Sequence, residues 1–144
     1  MARREHSAPE RLFVDSSVWL AYLSARDGRH WEADRLVREA VRLKARLFTS
    51  NLVLAEVHRL LLHRAGIRPA AVALASVSSS PSVEVLFPDL AVHREAQAWM
   101  ARFDDQVITC TDASSFVLMR VHRCRAALSF DADFVVAGYE LWAP

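Results

Sequence analysis

The stretch at residues 11–23, RLFVDSSVWLAYL, leaves this chain few ways to fold. Leu12, Phe13 and Val14 form a short apolar run, and Asp15 follows at once. After Ser16 and Ser17, the residues Val18, Trp19, Tyr22 and Leu23 recur at helical spacing. The pattern predicts a buried strand that delivers a carboxylate to its C-terminal end and turns straight into a helix. In open α/β sheets the carboxyl ends of the strands are where ligands bind. On this stretch alone, Asp15 is either a helix cap or a member of a site.

The same unit recurs along the chain. Ala33, Leu36, Val37, Ala40 and Val41 predict a helix over 31–44, with charges on its other face. Leu47-Phe48 then reads as a short strand that meets the cap residues Thr49-Ser50-Asn51. A helix over 52–64 follows, with Val53, Val57, Leu60 and Leu61 as its stripe and Gly66 as its C-cap. Pro69 suits the first turn of a small apolar helix over 70–77. Residues 83–87 give a third strand, and Asp89 opens a helix with Val92, Ala96, Trp99, Met100 and Phe103 on one face. Val107-Ile108 reads as a weak strand or extended segment, and Asp112 stands at the mouth of the next helix. A strand over 126–130 ends at Asp131, and residues 139–142 are placed to close the sheet edge. Strands alternating with helices predict an α/β fold: one three-layer domain over 1–144, with a central, mostly parallel sheet flanked by helices.

Composition removes several classes. The net charge of +1 gives no bulk basic field for nucleic acid. The cations are nearly all arginine, Lys44 being the one lysine, and Arg120, His122, Arg123 and Arg125 crowd together. That crowding reads either as a solvated helix end or as part of a phosphate track. Cys110 and Cys124 lack C-x-x-C spacing and read as buried thiols rather than zinc ligands. No run is long and apolar enough for a membrane span. The polar lead-in over 1–10 carries no apolar signal segment, so cytoplasm is the expected compartment.

Four carboxylates fall at comparable places. Asp15 follows a strand, Glu56 sits in the second turn of a helix, Asp112 opens a helix, and Asp131 ends a strand with Asp133 two residues on. Each alone is ordinary. Converging at one sheet edge, they would raise one another's pKa unless a counter-ion offset the repulsion. Hard oxygen ligands suit magnesium or manganese. Carboxylate-bound magnesium can orient a water and stabilise the leaving oxygen of a phosphodiester, with no serine or histidine nucleophile. The sequence has no G-x-S-x-G elbow and no glycine-rich phosphate loop, and only three glycines in all.

The blocks LFVDSSVWLAYL, TSNLVLAEV, TDASSFVLMR and LSFDADF together resemble the PIN-domain ribonucleases, and among them the VapC-like toxins of bacterial toxin–antitoxin pairs. Their order covers the chain from Leu12 to Phe134. The resemblance implies a magnesium-dependent endoribonuclease, with manganese as the other candidate ion and Asp15, Glu56, Asp112 and Asp131 as its acidic site. It makes Asp15 and Asp112 the direct metal ligands. Ser16 and Thr111 would support those ligands, and Asp133 would be accessory. It also implies an RNA substrate, a cognate antitoxin that blocks the site, and a homodimer. Trp31, Trp99, Phe103 and the apolar helix over 70–77 exceed what one small core needs, which fits a partner.

Other readings stay open at this level. Asp131-Ala132-Asp133 after an apolar strand also resembles a haloacid-dehalogenase-type phosphatase or a manganese-binding glycosyltransferase. Both need far more chain after that motif than the 11 residues present. A catalytically silent PIN-like module that only binds RNA or protein is the remaining alternative.

Overall fold

Leu12, Phe13 and Val14 are fully buried, and β1 (Arg11–Val14) becomes the middle strand of a five-stranded sheet. A computed structural model describes residues 9–144; of the polar lead-in expected over 1–10, all but Pro9 and Glu10 lies outside them. A strand buried on both faces needs apolar side chains at successive positions, and parallel sheets covered by helices supply that environment. The neighbours of β1 are β2 (Arg46–Ser50) and β4 (Ala126–Leu128), both parallel to it. Beyond them lie β3 (Val83–Leu86) and β5 (Glu140–Leu141), again parallel, giving the order β3-β2-β1-β4-β5.

Seven helices complete a three-layer α/β fold among the described residues. They are α1 (Ser16–Leu23), α2 (His30–Arg42), α3 (Asn51–Ala65), α4 (Ile67–Ser78), α5 (Leu90–Arg102), α6 (Cys110–Val121) and α7 (Asp133–Val136). Helix α1 packs on α2 and α3, and α5 packs on α6. From β1 the chain winds outward through β2 and β3, then crosses back to add β4 and β5 on the other side. The strand order therefore reverses between β1 and β4, and their carboxyl ends border a crevice of the kind where open α/β sheets bind ligands.

Local chemistry explains the element boundaries. Ser50 caps α3 by accepting from the Val53 N–H, and Asp89 caps α5 by accepting from Val92. Gly66, at φ 91°, closes α3 and opens α4, a left-handed backbone that glycine adopts without a Cβ penalty. The helix expected from residue 70 accordingly starts at Ile67.

The structure corrects the extent of one strand and the burial of one thiol: Cys124 is buried as expected, but Cys110 is exposed at the start of α6. The last long strand stops at Leu128 rather than residue 130, because Phe130 N–H donates to Ser17 Oγ and Asp131 N–H donates to Ser129 Oγ. Those donors leave the ladder for side chains. Val107 and Ile108 join no strand and form part of the connection into α6.

Of the residues expected to exceed the core, Trp99 and Phe103 are half-buried: Trp99 stacks on Phe103 and packs against the buried ring of Phe116. Trp31, in contrast, is 79% exposed.

The crowded cations at 120–125 also find their place. They span the end of α6 and the approach to the N-terminal end of β4, where Arg11 Nε donates to His122 O at 2.7 Å. This is the opposite sheet edge from Asp15, and Arg120 there is paired with Glu95.

Candidate active site

Asp15 leaves the end of β1 as the N-cap residue of α1, with only 3% of its surface exposed. Its carboxylate does not cap the helix; it turns to three hydroxyls. Ser17 Oγ donates to Oδ2 at 2.9 Å, Ser129 Oγ donates to Oδ2 at 3.0 Å, and Ser16 Oγ reaches Oδ1 at 3.4 Å. Burial pushes the Asp15 carboxyl above its usual range, and the bonds from Ser16, Ser17 and Ser129 oppose that shift.

Ser17 and Ser129 each perform two tasks. While donating to Asp15, they accept the N–H groups of Phe130 and Asp131. The loop after β4 is thereby fastened to the end of β1. Asp131 Oδ1 then accepts from Asp133 N–H at 2.9 Å, which bends the chain into α7 and brings both carboxylates to one side.

Asp112 arrives from the third layer. Thr109 caps α6, with Asp112 N–H donating to Thr109 Oγ1 at 3.1 Å and Thr109 N–H donating to Asp112 Oδ2 at 3.2 Å. This reciprocal capping box fixes the carboxylate at the helix mouth. Burial pushes its carboxyl up to about 6; the Thr109 bonds lower it, and the charges of Asp15 and Asp131 raise it. Asp133 is raised as well, by burial first and by Asp131 second.

The residues converge. Asp15, Glu56, Asp112 and Asp131 line one cavity of about 310 Å³ together with Asp133, Ser16, Ser17 and Thr109. Leu20 and Leu60 form part of its apolar wall. Asp112, Asp131 and Asp133 each offer a carboxylate oxygen, all within 4.8 Å of one another. Asp15 and Glu56 border the cavity outside that tightest group. Thr111 does not line it; its carbonyl accepts from Ser115, and the threonine that holds Asp112 is Thr109.

Sequence reasoning alone passes over Ser17, Ser129 and Thr109. Each has a signal: Ser17 lies within DSS, Ser129 lies two before Asp131, and T-x-x-D is a capping-box spacing.

The donor set suits a hard divalent cation. It is all oxygen, anionic and partly desolvated, and among the described residues none of these carboxylates is paired with an arginine or lysine.

Comparison with known proteins agrees on the lineage. The family model of the PIN domain matches residues 12–138. The 23S rRNA-specific endonuclease VapC20 of Mycobacterium tuberculosis is 38% identical over 128 residues, covering 89% of this chain and 95% of the relative, in both the CDC 1551 and H37Rv strains. The crystal structure of M. tuberculosis VapC20, described as a Sarcin-Ricin loop cleaving toxin, superposes with a TM-score of 0.84 at 36% identity, covering 92% of this chain and 99% of that one.

Proposed function

This chain belongs to the PIN-domain family, and on that premise we propose that it is a divalent-metal-dependent endoribonuclease, the toxin of a toxin–antitoxin pair, cutting 23S ribosomal RNA. One observation carries the reading: carboxylates from three separate segments, Asp15, Asp112 and the 131–133 loop, meet in one cavity at the sheet's switch point. The ribosomal target rests on the likeness to VapC20 over most of both chains.

In this reading Asp112, Asp131 and Asp133 hold a magnesium or manganese ion, and Asp15 contributes from the buried floor. The bound ion supplies Lewis-acid polarisation of a phosphodiester and a more acidic water. Glu56, on α3, lies outside the tight group and is the carboxylate available to take the proton of an attacking water. Ser17 and Ser129 keep Asp15 oriented while holding the loop that carries Asp131. Leu20 and Leu60 limit water at the site.

The partners follow from the same reading. A cognate antitoxin would bring a cation into the acidic cavity, and exposed Trp31, Ile67, Val72, Phe87 and Leu90 supply apolar surface for a second copy or for that antitoxin. No helix among the described residues is long and apolar enough to cross a membrane, and a ribosomal substrate supports the cytoplasm as the compartment.

The test is cleavage of purified ribosomes with magnesium and with EDTA, mapped by primer extension. One discrete 23S cut that disappears with the chelator is expected. Undiminished cleavage in EDTA, or intact 23S RNA at stoichiometric protein, would reject the proposal.

A further inference from the structure

Leu20 and Leu60 are not the last residues of α1 and α3 to border a cavity. The two helices line the acidic cavity with Ser16, Ser17, Leu20, Glu56 and Leu60, and the same pair lines a second cavity of about 670 Å³. There α1 contributes Leu23, α3 contributes Leu61 and Arg64, and the loop after α1 contributes Arg26 and Asp27. Both cavities are thus bordered by the same two helices, with the second toward their C-terminal ends. From Glu56 to Arg64 the helix rises by about 12 Å. The α1–α2 loop also leans on the acidic site directly, since the Arg29 guanidinium lies 3.6 Å from the centre of the Phe130 ring, next to Asp131.

The charge in this second cavity is arranged for an anion. Asp27 Oδ2 accepts from Arg64 at 2.9 Å while its Oδ1 accepts the Arg29 N–H, so one carboxylate holds the Arg64 head in place. A guanidinium has five N–H donors, and this ion pair occupies one of Arg64's terminal nitrogens. Arg26 is exposed and makes no ion pair among the described residues. Two arginines against one aspartate leave a net positive cavity beside a strongly negative one.

We infer that the Arg26–Arg64 cavity binds a backbone phosphate of the RNA strand, a few nucleotides from the bond placed among the carboxylates. The inference rests on the nuclease reading above and adds how the strand is held. With a net charge of only +1 and an acidic cavity that repels phosphate, binding must come from local cations flanking the site. The arginine-rich segment at 120–125 cannot serve this end, because it lies at the opposite sheet edge. Arginine pairs with phosphate through parallel N–H donors, which fits the exposed and prearranged heads found here.

The experiment measures binding of a labelled single-stranded RNA of mixed sequence, in EDTA so that it stays intact, across a salt series. It also measures steady-state cleavage of 23S RNA in purified ribosomes with magnesium. Arg26→Ala/Arg64→Ala should weaken binding about tenfold, lower the salt slope by about 0.7 for each phosphate no longer neutralised, and raise KM with kcat unchanged. Arg125→Ala, at the far edge, should match the parent. Arg26→Glu leaves the Asp27–Arg64 pair intact and should act in the same direction, so a destabilised double variant does not blunt the test. Parental affinity, slope and KM in both arginine variants would overturn the inference while leaving the nuclease reading standing. A parent that neither binds nor cuts RNA would overturn both. Unchanged RNA binding with lost binding of a polyglutamate peptide would assign the arginines to an acidic protein partner, and so overturn the phosphate assignment.

Discussion

Ser129 Oγ donates to Asp15 Oδ2 across 3.0 Å, joining residues 114 positions apart in the chain. The bond ties the end of β4 to the end of β1 where the strand order reverses. Ser17 makes the companion bond at 2.9 Å, so both hydroxyls donate to the same carboxylate oxygen. Hydrogen bonds to a buried carboxylate favour its charged form and counter the desolvation that would protonate it.

Removing those donors should therefore raise the Asp15 pKa further. Ser17→Ala/Ser129→Ala should shift the acid limb of the pH–rate profile to higher pH and cut activity at neutral pH. It should also cost about 1–3 kcal/mol of stability per lost bond to a charged group. A pH–rate profile superposable on the parent's would show that the hydroxyls do not tune Asp15.

Replacing Asp112 separates its two tasks. Asp112→Asn keeps an oxygen for the Thr109 N–H, so the cap survives while one charge leaves the cavity. In EDTA it should melt at or above the parent temperature, yet be inactive in magnesium and gain less stability from the ion. Asp112→Ala loses that acceptor and should fall by about 1 kcal/mol relative to Asn. Melting curves of the three proteins, with and without magnesium, decide this, and an Asn variant that cleaves at the parental rate would remove Asp112 from the chemistry.

The pH dependence has a defined sign. The Asp112 carboxyl is raised from an ordinary value of 3.8 to about 6 in the fold, so the folded state binds protons more tightly than the unfolded chain. The associated stability is fully present below about pH 4 and is lost as pH rises through 6. Asp15 is raised too and acts in the same direction. For Asp112, which keeps partial exposure to solvent, the effect is on the order of 1–2 kcal/mol after solvent screening. The difference in unfolding free energy between parent and Asp112→Asn, followed in EDTA from about pH 4 to 7, should move in favour of the variant as pH rises. A flat difference would deny the raised pKa.

Magnesium or manganese should raise the parent's melting temperature in a concentration-dependent way, because a ligand that binds only the folded state stabilises it by mass action. Triple replacement of Asp112, Asp131 and Asp133 by Asn should abolish that response while leaving the fold intact. A parent whose melting point ignores millimolar magnesium would rule out a carboxylate-held ion.

Much of this architecture can be read directly. Leu12-Phe13-Val14 announces a strand buried on both faces, and the helical stripes of α2 and α3 announce the covering layers. The convergence of Asp15, Glu56, Asp112 and Asp131 requires that their strands and helices open on one edge, which the alternating pattern implies. Ser129 cannot be read as a partner of Asp15, because nothing local reports a bond over such a separation. The end of β4 is hidden for the same reason: Phe130 and Ser129 look like strand, but the N–H groups there have better acceptors in the serine hydroxyls. Thr109 is less conspicuous than Thr111 because adjacency in sequence is a poor guide at a helix start, where the reciprocal bonds span three residues.

The placement of β4 beside β1 also sets when this enzyme can come into being. During synthesis β1, β2 and β3 emerge first and can pair in sequence, leaving one side of β1 open. Asp15, Glu56 and Asp112 would all be present on such a nascent chain, but Ser129, Asp131 and Asp133 would not. Only when β4 slides into the vacant edge does the buried carboxylate gain its third hydroxyl donor and the cavity its remaining acids. A chain ended before β4 would therefore lack Ser129, Asp131 and Asp133 together, and the acidic cavity is completed in one late event rather than by degrees.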